Sequence, residues 1–151
     1  MDMPSYLAPM LTEPLEEAQS LPTPDRRTVL IVDDDEAMVE VLTKRLTKQG
    51  FATAAAGSGA LALKLAQSER PDCIVLDLRL PDFDGFDLCR QMVDAEATCE
   101  IPVIIVSGLE GPDIIRRSRA AGCCYYVRKP YDPNVLLTLI CQSIDEALRG
   151  E

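Results

Sequence analysis

Histidine is absent from this chain of 151 residues. Without an imidazole it cannot build Ser-His-Asp or Cys-His catalysis or a histidine-ligated metal, and it cannot itself carry a phosphohistidine. The six cysteines, Cys73, Cys89, Cys99, Cys123, Cys124 and Cys141, form no C-x-x-C pair, which removes the usual signature of zinc and redox sites. Several fall in apolar runs, where a reduced thiol behaves as a small hydrophobe. No apolar stretch approaches the roughly 18 residues of a membrane span. The opening residues carry an acid and prolines instead of a basic and then apolar signal. The expectation is a cytoplasmic protein with no membrane contact. Positive charge is also scarce, with 15 Lys and Arg against 25 Asp and Glu and a net charge of −10. Nucleic acid is therefore not an expected partner of the chain by itself.

A chain of this length supports one ordinary core. Residues 1–27 hold five of the eleven prolines, with scattered acids and no sustained period, and read as a flexible leader. From Thr28 apolar runs alternate with helical patterns. Strands are expected at Thr28 to Val32, Phe51 to Ala56, Asp72 to Asp77, Ile101 to Ser107 and Cys124 to Val127. Helices are expected at Glu36 to Gln49, from Gly59 to about Glu69, from about Phe86 to Ala95, at Pro112 to Ala121, and from near Pro133 onward. Such alternation predicts an α/β fold with a doubly wound parallel sheet and helices on both faces over residues 28–149.

In open sheets of this kind ligands bind beyond the carboxyl ends of the strands. Asp33 and Asp34 follow the first expected strand, Asp77 ends the third, Ser107 ends the fourth, and Lys129 follows the fifth. With the first, third and fourth strands adjacent, these side chains converge. Clustered carboxylates repel one another unless a cation sits among them, and a donor set made only of oxygen suits a hard ion such as Mg²⁺. Beside such an ion Asp77 is an oxygen nucleophile, already ionised at neutral pH and needing no general base. Lys129 and Ser107 are placed to neutralise phosphoryl oxygens.

The segments Val29-Leu-Ile-Val-Asp-Asp-Asp35, Ile74-Val-Leu-Asp-Leu-Arg-Leu-Pro-Asp-Phe-Asp-Gly85, Pro102-Val-Ile-Ile-Val-Ser-Gly108 and Lys129-Pro130 resemble the four signature blocks of response-regulator receiver domains, the CheY-like superfamily, over about residues 28–149. The resemblance implies a (βα)5 flavodoxin-like fold with strand order 2-1-3-4-5. It also implies a two-component switch that accepts a phosphoryl group from a histidine kinase or phosphotransfer protein onto Asp77. Asp33 and Asp34 would be the acidic pair. Asp34, Asp77 and the main-chain carbonyl of Arg79 would hold Mg²⁺ directly. Ser107 would meet the phosphoryl group, Lys129 would be the family's lysine with a cis bond to Pro130, and Tyr126 would be the aromatic switch. The surface formed by the fourth and fifth strands and helices would then change for a downstream partner or output domain, with phosphorylation-dependent dimerisation as a further expectation.

Two other readings compete. Phosphatases with an aspartate nucleophile generally carry a second acid two residues later, where this chain has Arg79. Receiver-like modules that take no phosphate have usually lost an acid or the lysine, and this chain keeps them all. Asp35 reads as a helix cap, and Asp82, Asp84 and Asp87 read as solvated loop acids, because the spacing does not match a calcium-binding EF-hand loop. Leu109 lies two residues after Ser107, as Arg79 does after Asp77, at positions where relatives steer water. A leucine there cannot orient water, so a long-lived phosphoform is expected. Only Gly150 and Glu151 follow the last expected helix, too few for a helix-turn-helix output. The chain is then either a single-domain regulator or the receiver piece of a longer protein.

Overall fold

The computed structural model describes residues 26–150. The leader therefore lies, up to Asp25, outside the described residues. Five strands and five helices alternate: β1 (Thr28–Val32), α1 (Glu36–Lys48), β2 (Ala52–Ala56), α2 (Gly59–Glu69), β3 (Cys73–Asp77), α3 (Gly85–Asp94), β4 (Val103–Ser107), α4 (Pro112–Ala120), β5 (Tyr125–Arg128) and α5 (Pro133–Leu148). The strands form one sheet in the order β2-β1-β3-β4-β5, and every pairing is parallel.

The two-residue period of a strand divides the core into two layers. Leu30, Val32, Ile74, Leu76, Val103 and Ile105 point to one face, where Ala62 and Ala66 of α2 and Phe86, Cys89 and Met92 of α3 cover them. Val29, Ile31, Cys73, Val75, Ile104 and Val106 point to the other, against Leu42 and Leu46 of α1 and Leu136, Ile140 and Ile144 of α5. Strands buried on both faces read as unbroken apolar runs. β1, β3 and β4 are therefore the most legible part of the chain.

The boundaries move by one or two residues for local reasons. β4 starts at Val103 instead of Ile101. Pro102 has no N–H to give a neighbouring strand, and the Ile101 N–H turns back to the Thr98 carbonyl at 3.0 Å. Asp72 stands outside β3 because its carboxylate accepts the Thr28 N–H at 2.8 Å, which ties the amino ends of β1 and β3 together. Asp35 caps α1 by accepting the N–H groups of Ala37 and Met38. All six cysteines are free thiols. Among the described residues no helix is long and apolar enough to cross a membrane.

Candidate functional site

At the carboxyl edge of the sheet the apolar run of β1 gives way to Asp33, that of β3 to Asp77, that of β4 to Ser107, and β5 to Arg128 and Lys129. Asp33 leaves β1 with its N–H on the Ala56 carbonyl at 3.0 Å, so the strand pairing fixes its backbone. Its Oδ1 accepts the Asp35 N–H at 2.9 Å and its Oδ2 accepts a hydrogen bond from Lys129 Nζ at 3.1 Å. Asp77 is the last residue of β3, paired in register with Val106 of β4. Its Oδ1 accepts the Arg79 N–H at 3.3 Å and its Oδ2 lies 3.6 Å from Lys129 Nζ. Asp34 is exposed. One carboxylate oxygen from each of Asp33, Asp34 and Asp77 lies within 4.8 Å of the others.

Three acids thus face one ammonium. Burial raises the Asp77 carboxyl above the ordinary carboxylate value; Lys129 pulls it back, Asp33 pushes it up again, and the Arg79 N–H pulls it down. For Lys129, burial works against the ammonium, but the hydrogen bond it donates to Asp33 and the charges of Asp77 and Asp33 outweigh it and raise its pKa. The pocket has more anion than its lysine neutralises, and all its acidic donors are oxygen. Such a donor set is compatible with a divalent cation of the hard class.

Ser107 ends β4 with no exposure, and its Oγ accepts the Leu109 N–H at 3.0 Å. The Ser107 carbonyl accepts the Lys129 N–H at 2.8 Å, so the serine and the lysine are held on adjacent strand ends. The Lys129–Pro130 peptide bond is cis. Tyr126 stands beside Ile105 on β5 and donates its hydroxyl to the Leu109 carbonyl at 2.6 Å. The loop after Ser107 is therefore gripped at Leu109 from both sides. One residue further, Glu110 pairs with Arg128 at 3.0 Å.

Of the three acids after Asp77 that read as solvated loop acids, Asp87 lies on α3, and Asp82 and Asp84 do structural work. Asp82 Oδ1 and Oδ2 accept the N–H groups of Gly59 and Ala60 at 2.7 and 3.0 Å, and those bonds lower its pKa. It closes the amino terminus of α2 from 22 to 23 residues away in sequence. Asp84 caps α3 through the N–H groups of Phe86 and Asp87. Asp87 pairs with Arg90 at 3.6 Å. Gly85 is obligatory for space, because a Cβ there would stand 2.4 Å from the Leu78 Cα. Neither the Asp82 bridge nor the Glu110–Arg128 pair has a sequence signature, since each joins residues on different elements with no spacing rule.

Comparison with known proteins agrees with this geometry. A family model described as the response regulator receiver domain matches residues 29–141. The response regulator PleD of Caulobacter vibrioides is 34% identical over 112 residues, 74% of this chain and 25% of that protein. The DNA-binding response regulator MtrA of Mycolicibacterium smegmatis is 34% identical over 115 residues, 76% of this chain and 49% of that protein. This chain thus matches between a quarter and a half of the length of these relatives. Among solved structures, a CheY-like receiver domain protein from Methanospirillum hungatei superposes with a TM-score of 0.78 at 26% identity, covering 83% of this chain and 99% of that one.

Proposed function

The chain belongs to the response-regulator receiver family, whose general function is phosphorylation-activated switching in two-component signalling, and on that premise we propose that Asp77 is its phosphoacceptor. The observation that carries the proposal is the convergence of Asp33, Asp34 and Asp77 within 4.8 Å, with Lys129 Nζ 3.1 Å from Asp33 and 3.6 Å from Asp77.

Asp33 and Asp34, with Asp77 and the Arg79 carbonyl, would hold Mg²⁺. When bound, that ion neutralises charge on the phosphoryl oxygens. The Asp77 carboxylate attacks the phosphorus of a donor phosphohistidine. An O–P bond forms, the N–P bond breaks, and the electron pair leaves with the donor imidazole. Lys129 is already held by two carboxylates, so its ammonium is in place to take a phosphoryl oxygen as a third anionic partner. Ser107 would donate its hydroxyl to the same oxygens, and moving toward them would exchange its contact with the Leu109 N–H for one with the phosphoryl group. That exchange frees one of the two grips on Leu109 and loads the other, the Tyr126 hydroxyl bond. Differential contact in the phosphorylated and unphosphorylated states is what shifts a conformational equilibrium. Here the shift passes from Ser107 through Leu109 to Tyr126 and the α4–β5 side of the molecule. Leu109 offers no polar group to orient a hydrolytic water, which favours a long-lived phosphoform. The donor would be a histidine kinase or phosphotransfer protein. The listener would be an output domain or a separate partner, reached in the cytoplasm.

Beryllofluoride with Mg²⁺ mimics the acyl phosphate and tests the assignment without a cognate kinase. It is expected to change the tyrosine fluorescence of the wild type and to leave Asp77→Asn unaffected. A wild-type spectrum that never responds overturns the assignment.

A further inference from the structure

We propose that the groove between α4 and β5 is a docking site for the chain's own acidic amino-terminal segment, residues 6–17, bound in cis. The groove has a volume of about 270 Å³ and is lined by Ile115, Arg119, Cys123, Cys124, Tyr125 and Tyr126. Ile115 is 46% exposed and leaves aliphatic surface open at the groove. Both tyrosine hydroxyls are already engaged, Tyr125 with Glu146 and Tyr126 with the Leu109 carbonyl. What these residues offer an occupant is therefore ring and aliphatic surface.

Charge identifies the occupant. In a chain of net charge −10, Arg116, Arg117, Arg119 and Arg128 fall within thirteen residues. Arg116 pairs with Asp113 at 2.9 Å and Arg128 with Glu110 at 3.0 Å, and Arg117 lies over the Phe86 ring at 4.2 Å. Arg119 has no ion-pair partner among the described residues and stands at the groove, one helical turn after Ile115. The complement is an acidic segment with spaced apolar side chains. Residues 1–25 contain Asp2, Glu13, Glu16, Glu17 and Asp25 and no Lys or Arg, with Tyr6, Leu7, Met10, Leu11 and Leu15 near the glutamates.

The attachment point is on the correct side. β1 and β5 belong to one parallel sheet, so Thr28 and Tyr125, the first residues of each, lie at the same edge. Arg119, Cys123 and Cys124, at the end of α4 and just before β5, lie at that edge too. Three strand spacings separate β1 from β5, about 14 Å. The ten residues from Glu16 to Arg26 span up to about 35 Å. A tether this short gives a high effective concentration, so individually weak contacts suffice.

Cysteine reactivity in the full-length chain tests the proposal. Cys124 is exposed at the groove, and Cys99 and Cys141 are exposed outside it. Iodoacetamide alkylation, followed by peptide mass analysis, is compared between wild type and the variant Glu13→Lys, Glu16→Lys, Glu17→Lys. Cys124 is expected to react about two- to tenfold more slowly in the wild type, with Cys99 and Cys141 unchanged. Adding Arg116→Glu and Arg119→Glu to the leader variant restores the protection by exchanging the two charges. Equal Cys124 rates in wild type and leader variant overturn the proposal. Protection that grows with protein concentration also overturns it, because the occupant is then a second copy. None of these substitutions touches the Asp77 pocket, so the outcome is independent of the phosphoacceptor assignment.

Discussion

Lys129 separates charge from shape at the pocket, because it touches both Asp33 and Asp77 with one ammonium. Replacing it with methionine keeps the length of the side chain and removes the cation. The Asp77 carboxyl, already raised by burial, then rises further. Phosphorylation by a small donor should slow by about tenfold or more, and the acid limb of its pH profile should move to higher pH; an unchanged profile would contradict the electrostatic account. The same shift makes a stability prediction with a definite sign. A carboxyl whose folded pKa is raised favours the neutral form on folding, so its ionisation opposes the fold. That penalty is absent below the unfolded pKa, grows as pH rises from there to the folded value, and is fully present above it. Asp77→Asn removes it, and its Tm should exceed that of the wild type at pH 7. The difference should vanish at acid pH, as paired thermal melts would show. Mg²⁺ should relieve the same repulsion. At tenfold excess over its Kd it should add about 1.4 kcal/mol to wild-type stability, and clearly less in Asp34→Asn.

At the scale of elements, the loop from Leu78 to Asp84 is held by a backbone approach at Gly85 and by the bond of Asp82 to α2. Gly85→Ala forces a Cβ against the Leu78 backbone, which has no flexible end to yield. We expect a loss of about 2 kcal/mol or more, read as a lower urea midpoint, together with slower phosphorylation because Arg79 rides on the displaced loop. The elements that carry the acids were readable because β1, β3 and β4 are buried on both faces and stop abruptly at Asp33, Asp77 and Ser107. Their apolar runs mark both the strand and its end. The apolar pattern extends β4 by two residues because Ile101 looks like strand until the turn at Thr98 claims its N–H. Asp82 was read as solvated because its partners, Gly59 and Ala60, are close only in the folded chain. Glu110 and Arg128 likewise pair across elements, with no spacing in the sequence to mark them. Periodicity reports which face of an element is buried and says nothing about which loop a distant acid will close.

Among the described residues, arginines gather on α4 and β5 while acids line the pocket at Asp77. The pocket lies at the carboxyl edge of the sheet, and the cationic groove lies toward the other edge along β5. A signal entering at Asp77 would leave through the side to which Tyr126 and Arg128 belong. That side is where a listener or the leader would bind, and the chain spans a quarter to a half of the length of the relatives it matches. The switch itself depends on Asp77 taking a phosphoryl group. Intact-mass analysis after incubation with acetyl phosphate and Mg²⁺ tests that directly. The account predicts one added phosphoryl group on the wild type, lost on chelation of the metal before the reaction and absent from Asp77→Asn. A wild-type chain left unmodified by a donor that phosphorylates a control receiver, or an Asp77→Asn chain modified to the same extent, would contradict it.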